Sequence, residues 1–431
     1  MKFSQSATPT ILCLSHLGWD NVWQRPQQIL SRLAAHYPVI YVNEPYVLNP
    51  SHASYPADGQ AYLRPVNSKG NVTAWQPIFP DLPELLASWR ETYVRLVRML
   101  LPRWGGNGYR SGSSGGAPST HSPLILWFYT PMPYYFLDHF PADLVIYDVM
   151  DELANFKGAA KDMREREAKL LARADVVFTG GRSMYQARRE QHPNLHLFAS
   201  GVEPAHFARA LEPATPVAAE ISALYQNGHQ PTAVLGYYGV IDERIDLELL
   251  HTLAASHSEW AIFMVGPVAK IDTADLPRLP NIHYTGQQPY ERLPHFLKGF
   301  DVCLMPFAQN EATRCISPTK TLEYMAAHKP IVSTPIPDVV ANWGHMVHLA
   351  ADAVCFATAV STALKETKRQ QAARAKRENA LLACHTWDYI VAQMHGHMKA
   401  GLAQKQAKSE QLATDAAAAS RQQFKVKWLA G

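Results

Sequence analysis

Short apolar runs alternate with amphipathic stretches along this chain, and they do so in two successive series. That alternation is the pattern of parallel sheets covered by helices. The first series comprises residues 11–14, 39–42, 124–129, 144–149 and 176–179, with a helical stretch at 27–35. The second comprises 234–239, 260–265, 302–305 and 330–333, with helices at 246–255 and 318–327. Near-continuous apolar runs of this kind suit strands covered on both faces. A chain of 431 residues also exceeds what one core accommodates. The expected fold is therefore α/β, with two Rossmann-like domains facing across a cleft.

The stretch 204–231, with Pro213, Pro216 and Gly228, separates the series. We expect an N-terminal domain over 1–203, a C-terminal domain over 204–384, and a helical segment over 385–431 that crosses back and ends in a tail. Residues 105–123 are rich in Gly and Ser and read as a mobile surface loop. Beyond residue 400 the chain is rich in Ala, Gln and Lys, as in a solvated helix, until Phe424, Val426, Trp428 and Leu429. Lys425 and Lys427 interleave with those apolar residues, so a membrane-surface role is the alternative to simple packing.

With 40 Lys and Arg against 37 Asp and Glu, no basic block points to nucleic acid. The five cysteines (Cys13, Cys303, Cys315, Cys355 and Cys384) lack metal-ligand spacing and suit a reduced, cytoplasmic chain. Residues 10–15 are too short for a secretory apolar region, and no run approaches a membrane span.

The segment Ser317-Pro318-Thr319-Lys320-Thr321-Leu322-Glu323 carries the most chemical information. Ser317 reads as an N-cap and Pro318 as the first helical residue, which would leave free N–H groups to face a phosphate. Lys320 in a first helical turn opposes the helix dipole, and a bound anion would explain it. The bland alternative is a local ion pair between Lys320 and Glu323. Gly236, Gly239 and Arg244 lie where a buried strand passes through a turn towards a helix, the place where ligands of open α/β sheets gather. The fork of Arg244 suits bidentate phosphate contact. A solvated loop arginine, with glycines serving only the turn and close packing, is the alternative.

In the first half, Gly18 can let backbone approach a ligand, and Trp19 and Trp23 can stack on a sugar ring or fill a core. His16 and Arg25 complete that candidate acceptor set, with His16 equally well an ordinary hydrogen-bonded histidine. Asp151, at the end of a buried strand, is a candidate to orient an acceptor hydroxyl or take its proton; helix capping is its alternative.

On these residues the chain resembles the large retaining glycosyltransferase family that includes glycogen and sucrose synthases, the group 1 glycosyltransferases. The resemblance is best at 235–246 and 302–333. It extends to 194–207, with Gly201-Val202-Glu203 and Phe207, and to Trp387 after His385 and Thr386. Gln24-Arg25-Pro26-Gln27 and Tyr147-Asp148-Val149-Met150-Asp151-Glu152 resemble a bacterial branch linked to cell-surface polysaccharide assembly. The resemblance implies a GT-B fold and retaining transfer from a nucleoside-diphosphate sugar to a saccharide or lipid-linked acceptor. No metal or further cofactor is implied, and the setting is cytoplasmic with peripheral contact at the inner membrane face. Arg244 and Lys320 would bind the donor diphosphate and Glu323 its ribose. Ser317, Pro318, Thr319 and Gly239 would line the donor site. One position departs from the family: its first glutamate is replaced by Cys315, and Glu311 is out of register.

Competing readings are a nucleotide-sugar epimerase of similar fold and a non-catalytic partner that keeps the fold. A nicotinamide oxidoreductase lacks support, since neither half carries a well-placed G-x-G-x-x-G.

Overall fold

A computed structural model describes residues 8–68, 70–101, 123–226, 228 and 230–429, with side chains described through 416. The expected loop at 105–123 lies outside the described residues except for its last, and the side chains of Phe424 to Leu429 lie outside them as well.

The chain divides into two compact units. One consists of Met1–Asp148, Arg164–Phe178 and Val391–Gly431, and the other of Val149–Met163 and Thr179–Ile390. A division after residue 203 would assign 149–163 and 179–203 to the first unit; their contacts lie with the second.

In the first unit the strands are β1 (Thr10–Leu14), β2 (Val39–Val42), β3 (Tyr46–Leu48), β4 (Tyr62–Val66), β5 (Val72–Pro80), β6 (Leu124–Phe128), β7 (Leu144–Val149) and β8 (Val176–Thr179). Their order is β3-β5-β2-β1-β6-β7-β8, with β4 antiparallel on β5. Ile11 pairs with Val39 on one side and Ile125 on the other, both in parallel register. Consecutive residues of β1, β6 and β7 are buried, as strands sandwiched between helix layers require. Because β1 is flanked by β2 and β6, strand order reverses there, and the carboxyl ends of these three strands form a switch point.

The helix Arg25–Leu33 follows β1. A capping box between Gln24 and Gln27 and the proline at its start fix where it begins. The long helix Trp387–Leu429 belongs to the first unit from Val391 onward. Gly401 there lies against Leu144 and Val176, and Lys405 pairs with Asp175 at 2.8 Å. From 408 to 416 its residues are exposed, in keeping with a solvated helix.

In the second unit a short strand β9 (Leu195–Leu197) precedes the sheet formed by β10 (Ala233–Tyr238), β11 (Trp260–Val265), β12 (Ile282–Gly286), β13 (Val302–Met305), β14 (Ile331–Ser333) and β15 (His348–Leu349). The order is β12-β11-β10-β13-β14-β15, all pairings parallel. Leu235 pairs with both Ile262 and Val302, so the reversal of strand order falls at β10. Leu250, Leu253, Phe296, Leu304 and Met325 are fully buried around this sheet. Val202 and Thr386 form a parallel bridge, and Gly201 lies so close to the backbone of His385 and Trp387 that a side chain there would collide.

Candidate functional site

The switch point of the second sheet concentrates the charged residues singled out in the sequence. β10 ends at Tyr238 and the chain turns at Gly239, whose φ of 137° is one that other residues rarely adopt. A Cβ on Gly239 would stand 2.3 Å from Cε of Lys320 and 2.7 Å from its Nζ. Gly266, after β11, has φ 152° and packs against Gly239 so tightly that a Cβ would stand 1.9 Å from the Gly239 carbonyl oxygen. The bare backbone of the two glycines leaves room for the lysine to reach across the strand end.

Burial pushes the Lys320 ammonium below its ordinary value; Glu323 pulls it back up, and Arg244 adds to the depression. Among the described residues Lys320 forms no ion pair, and the local pair with Glu323 is not made. Its Nζ lies 5.5 Å from the centre of the Tyr237 ring. A largely buried, unpaired cation is costly to hold in a folded chain.

Arg244 is held rather than free. Its Nε and Nη2 donate to Asp242 at 2.9 and 2.7 Å, and Asp242 is itself 2% exposed. The pairing overrides the effect of burial and keeps the guanidinium firmly charged. It fixes the direction of the fork while a quarter of the arginine side chain stays accessible.

The segment 149–163 closes on the same place. Burial raises the Asp151 carboxyl to about 6, against the pull of Arg244, Lys270 and Lys320. Phe156 lies between two cations, with Lys270 Nζ 4.1 Å and the Arg244 guanidinium 5.6 Å from its ring centre. Lys270 and Phe156 were not anticipated from sequence. Lys270 sits in the loop after β11 with a left-handed φ of 62°, a conformation invisible to pattern reading. Glu243, beside Arg244, accepts from the Lys157 backbone at 3.4 Å, which anchors the segment further.

Local expectations at the 317–323 segment change in detail. The helix runs Lys320–Ala326, so Ser317 is not its N-cap and Pro318 not its first residue; Thr319 takes the cap position without a side-chain bond. Backbone bonds from Thr321 to Pro318 and from Leu322 to Thr319 form a tight lead-in turn that displaces the start by two residues. Burial raises the Glu323 carboxyl, with Lys320, Tyr238 and Thr319 opposing the rise. Cys315 is half-buried, and its thiol is pushed up first by burial and then by the Glu152 carboxylate. Glu152, paired with Arg188 at 2.8 Å, thus places an acid near Cys315, the position where a glutamate was expected from the resemblance.

The first-half candidates part company. Arg25 is 2% exposed and paired through Nε and Nη2 with Asp148, which is fully buried at the end of β7. Its expected place in an acceptor cleft is therefore corrected: it locks the start of a helix to a central strand. Trp19, 5% exposed, packs edge-on against Tyr41 at 4.9 Å and is a core residue rather than a sugar platform. Gly18 lies against Asn21, and its carbonyl accepts from Asn21 and Gln27, so it shapes a packed turn. His16 stands half-buried in the bend just after β1. Among the described residues no cluster of acids, histidines or cysteines fits a metal ion, and no helix is long and apolar enough to cross a membrane.

Comparison with known proteins meets this geometry. Residues 234–366 match the family described as glycosyl transferases group 1. A stretch of 216 residues is 28% identical to the putative teichuronic acid biosynthesis glycosyltransferase TuaH of Bacillus subtilis, covering 45% of this chain and 51% of that protein. The match thus spans about half the length of that curated relative. Among solved structures, sucrose-phosphate synthase of Thermosynechococcus elongatus aligns over 91% of this chain and 99% of its own, with a TM-score of 0.64 and 14% identity. Anabaena HepE in complex with UDP aligns over 91% of this chain and 100% of its own, with a TM-score of 0.59 and 13% identity. At such identities the likeness establishes the fold, which is GT-B with two Rossmann-like sheets.

Proposed function

We propose that the chain is a glycosyltransferase that moves a sugar from a nucleoside-diphosphate donor to an acceptor hydroxyl, with retention, in the assembly of a cell-surface polysaccharide. The observation that carries this reading is the unpaired, largely buried Lys320 lying over Gly239 beside the oriented Arg244. The named relatives support it: one is a putative glycosyltransferase of teichuronic acid biosynthesis, and one was solved with UDP.

In this scheme the donor diphosphate lies against Lys320 and Arg244, with Lys270 as a third cation and Glu323 at the ribose. Ser317, Pro318 and Thr319 line the approach. As the glycosidic bond stretches, negative charge grows on the departing diphosphate, and fixed cations stabilise that state more than the ground state. The chain's own side chains supply this charge. Asp151 stands by the same cations and takes or orients the proton of the incoming hydroxyl, which arrives on the face the leaving group vacates.

Product analysis tests the reading. With nucleotide sugar and a saccharide acceptor, free nucleoside diphosphate should accumulate only when both are present. Isomerised donor without acceptor would instead identify an epimerase. The kcat/KM for transfer should rise with pH through about 6 as Asp151 loses its proton, then level off. Asp151→Asn should abolish that inflection; an unchanged profile removes Asp151 from the reaction.

A further inference from the structure

The first unit has a cavity at its own switch point, and none of the acceptor candidates read from sequence lines it. It measures about 200 Å³ and opens where β1, β2 and β6 end, with Ser15, Glu44 and Thr130 at the three strand ends. Trp89, Tyr93 and Tyr135 supply aromatic walls. Drug-sized ligand sites occupy roughly 300 to 1,000 Å³, so this cavity suits a single ring.

Three features make it a prepared polar site. Tyr135 is 7% exposed, and its buried hydroxyl has no hydrogen-bond partner among the described residues. Such a group is costly unless a ligand or water satisfies it. The Thr130 hydroxyl accepts from the Met132 amide at 3.3 Å and keeps its own proton to donate. Glu44 stands at the mouth as a carboxylate acceptor with no ion-pair partner among the described residues. Aromatic faces beside hydroxyl and carboxylate groups suit the apolar face and hydroxyl edge of a sugar ring.

Among the described residues Glu44 is the charged group in the lining, and no lysine, arginine or histidine joins it. Two cations stand near the Tyr135 end: the Arg90 guanidinium lies over the Tyr135 and Trp89 rings at 5.3 and 5.8 Å, and Arg166 donates to the Met132 carbonyl at 3.2 Å. Burial raises the Tyr135 hydroxyl, and both cations oppose that rise. A ligand carboxylate would meet the like charge of Glu44 at the mouth.

The geometry points to a subsite for one neutral or amine-bearing sugar ring of the acceptor, with Glu44 at its mouth disfavouring uronic acids. It rests on the transferase reading, to which it adds the class of acceptor ring.

Binding of methyl glucoside, methyl glucosaminide and methyl glucuronide to the full chain, followed by saturation-transfer NMR, tests it, with UDP titrated into the same samples. The glucoside and glucosaminide should bind, and the glucuronide about tenfold more weakly or not at all. Trp89→Ala and the conservative Tyr135→Phe should each weaken glucoside binding several-fold and leave UDP affinity unchanged. Glu44→Gln should narrow the gap between glucoside and glucuronide. Equal or tighter glucuronide binding overturns the proposal, as does the absence of glycoside binding or indifference to both aromatic variants. UDP binding in those samples reports separately on the transferase reading.

Discussion

Alanine in place of Lys320 lowers sugar transfer by about a hundredfold to a thousandfold, the loss expected when a preorganised group facing developing charge is removed. Arg244→Ala falls in the same range. In the proposed scheme the two side chains act on one leaving group, so the double variant should lose less than the product of the single losses. Stability should separate this from misfolding. Lys320 is largely buried, its charge is disfavoured by that burial, and it forms no ion pair among the described residues. Removing it should leave the thermal midpoint unchanged or raise it, as happens when a strained functional group is deleted. Wild-type turnover in both single variants would dismantle the phosphate clamp.

Arg25 and Asp148 make the opposite case, with a large effect on stability. Both are almost fully buried, and two guanidinium nitrogens bridge the carboxylate at 2.8 to 3.1 Å. Removing one partner strands the other charge in the interior, at a cost of about 3 to 5 kcal/mol. Either Arg25→Met or Asp148→Asn should therefore lower the unfolding midpoint of the first unit by roughly 10 °C. Pairing Arg25→Met with Asp148→Leu should recover part of the loss, because no unmatched charge remains. Single variants within a degree of wild type would show that the pair carries no such burden.

The strands covered on both faces were legible as predominantly apolar runs, broken only by Asp148 and Thr179: 39–42, 144–149, 176–179, 260–265 and 302–305 coincide with β2, β7, β8, β11 and β13. The strands that escaped notice have mixed patterns for a physical reason. Val72–Pro80 contains two prolines, and its first five residues mix buried with exposed positions before a buried run of four; it pairs in parallel with β2 and antiparallel with β4. Ile282–Gly286 is an edge strand whose His283, Tyr284 and Thr285 are only partly buried.

At the candidate site, Lys320, Arg244 and Gly239 could be read because a cation near a helix start and a glycine at a strand end are local signals. Lys270 and Phe156 could not. One depends on a left-handed backbone in a loop, and the other on a distant segment folding onto the second sheet. The Gln24-Arg25-Pro26-Gln27 motif misled for a related cause. Its arginine finds a partner 123 residues away in Asp148, and sequence spacing holds no trace of that contact.

In the proposed scheme the second unit grips a diphosphate through Lys320 and Arg244. Titrating matched nucleoside diphosphates and monophosphates, uridine first and then guanosine, adenosine and thymidine, into wild type and Lys320→Ala measures it directly. The account predicts at least about tenfold tighter binding of the preferred diphosphate by wild type, roughly 1.4 kcal/mol, and collapse of that gap in the variant. An identical gap in both proteins would contradict it.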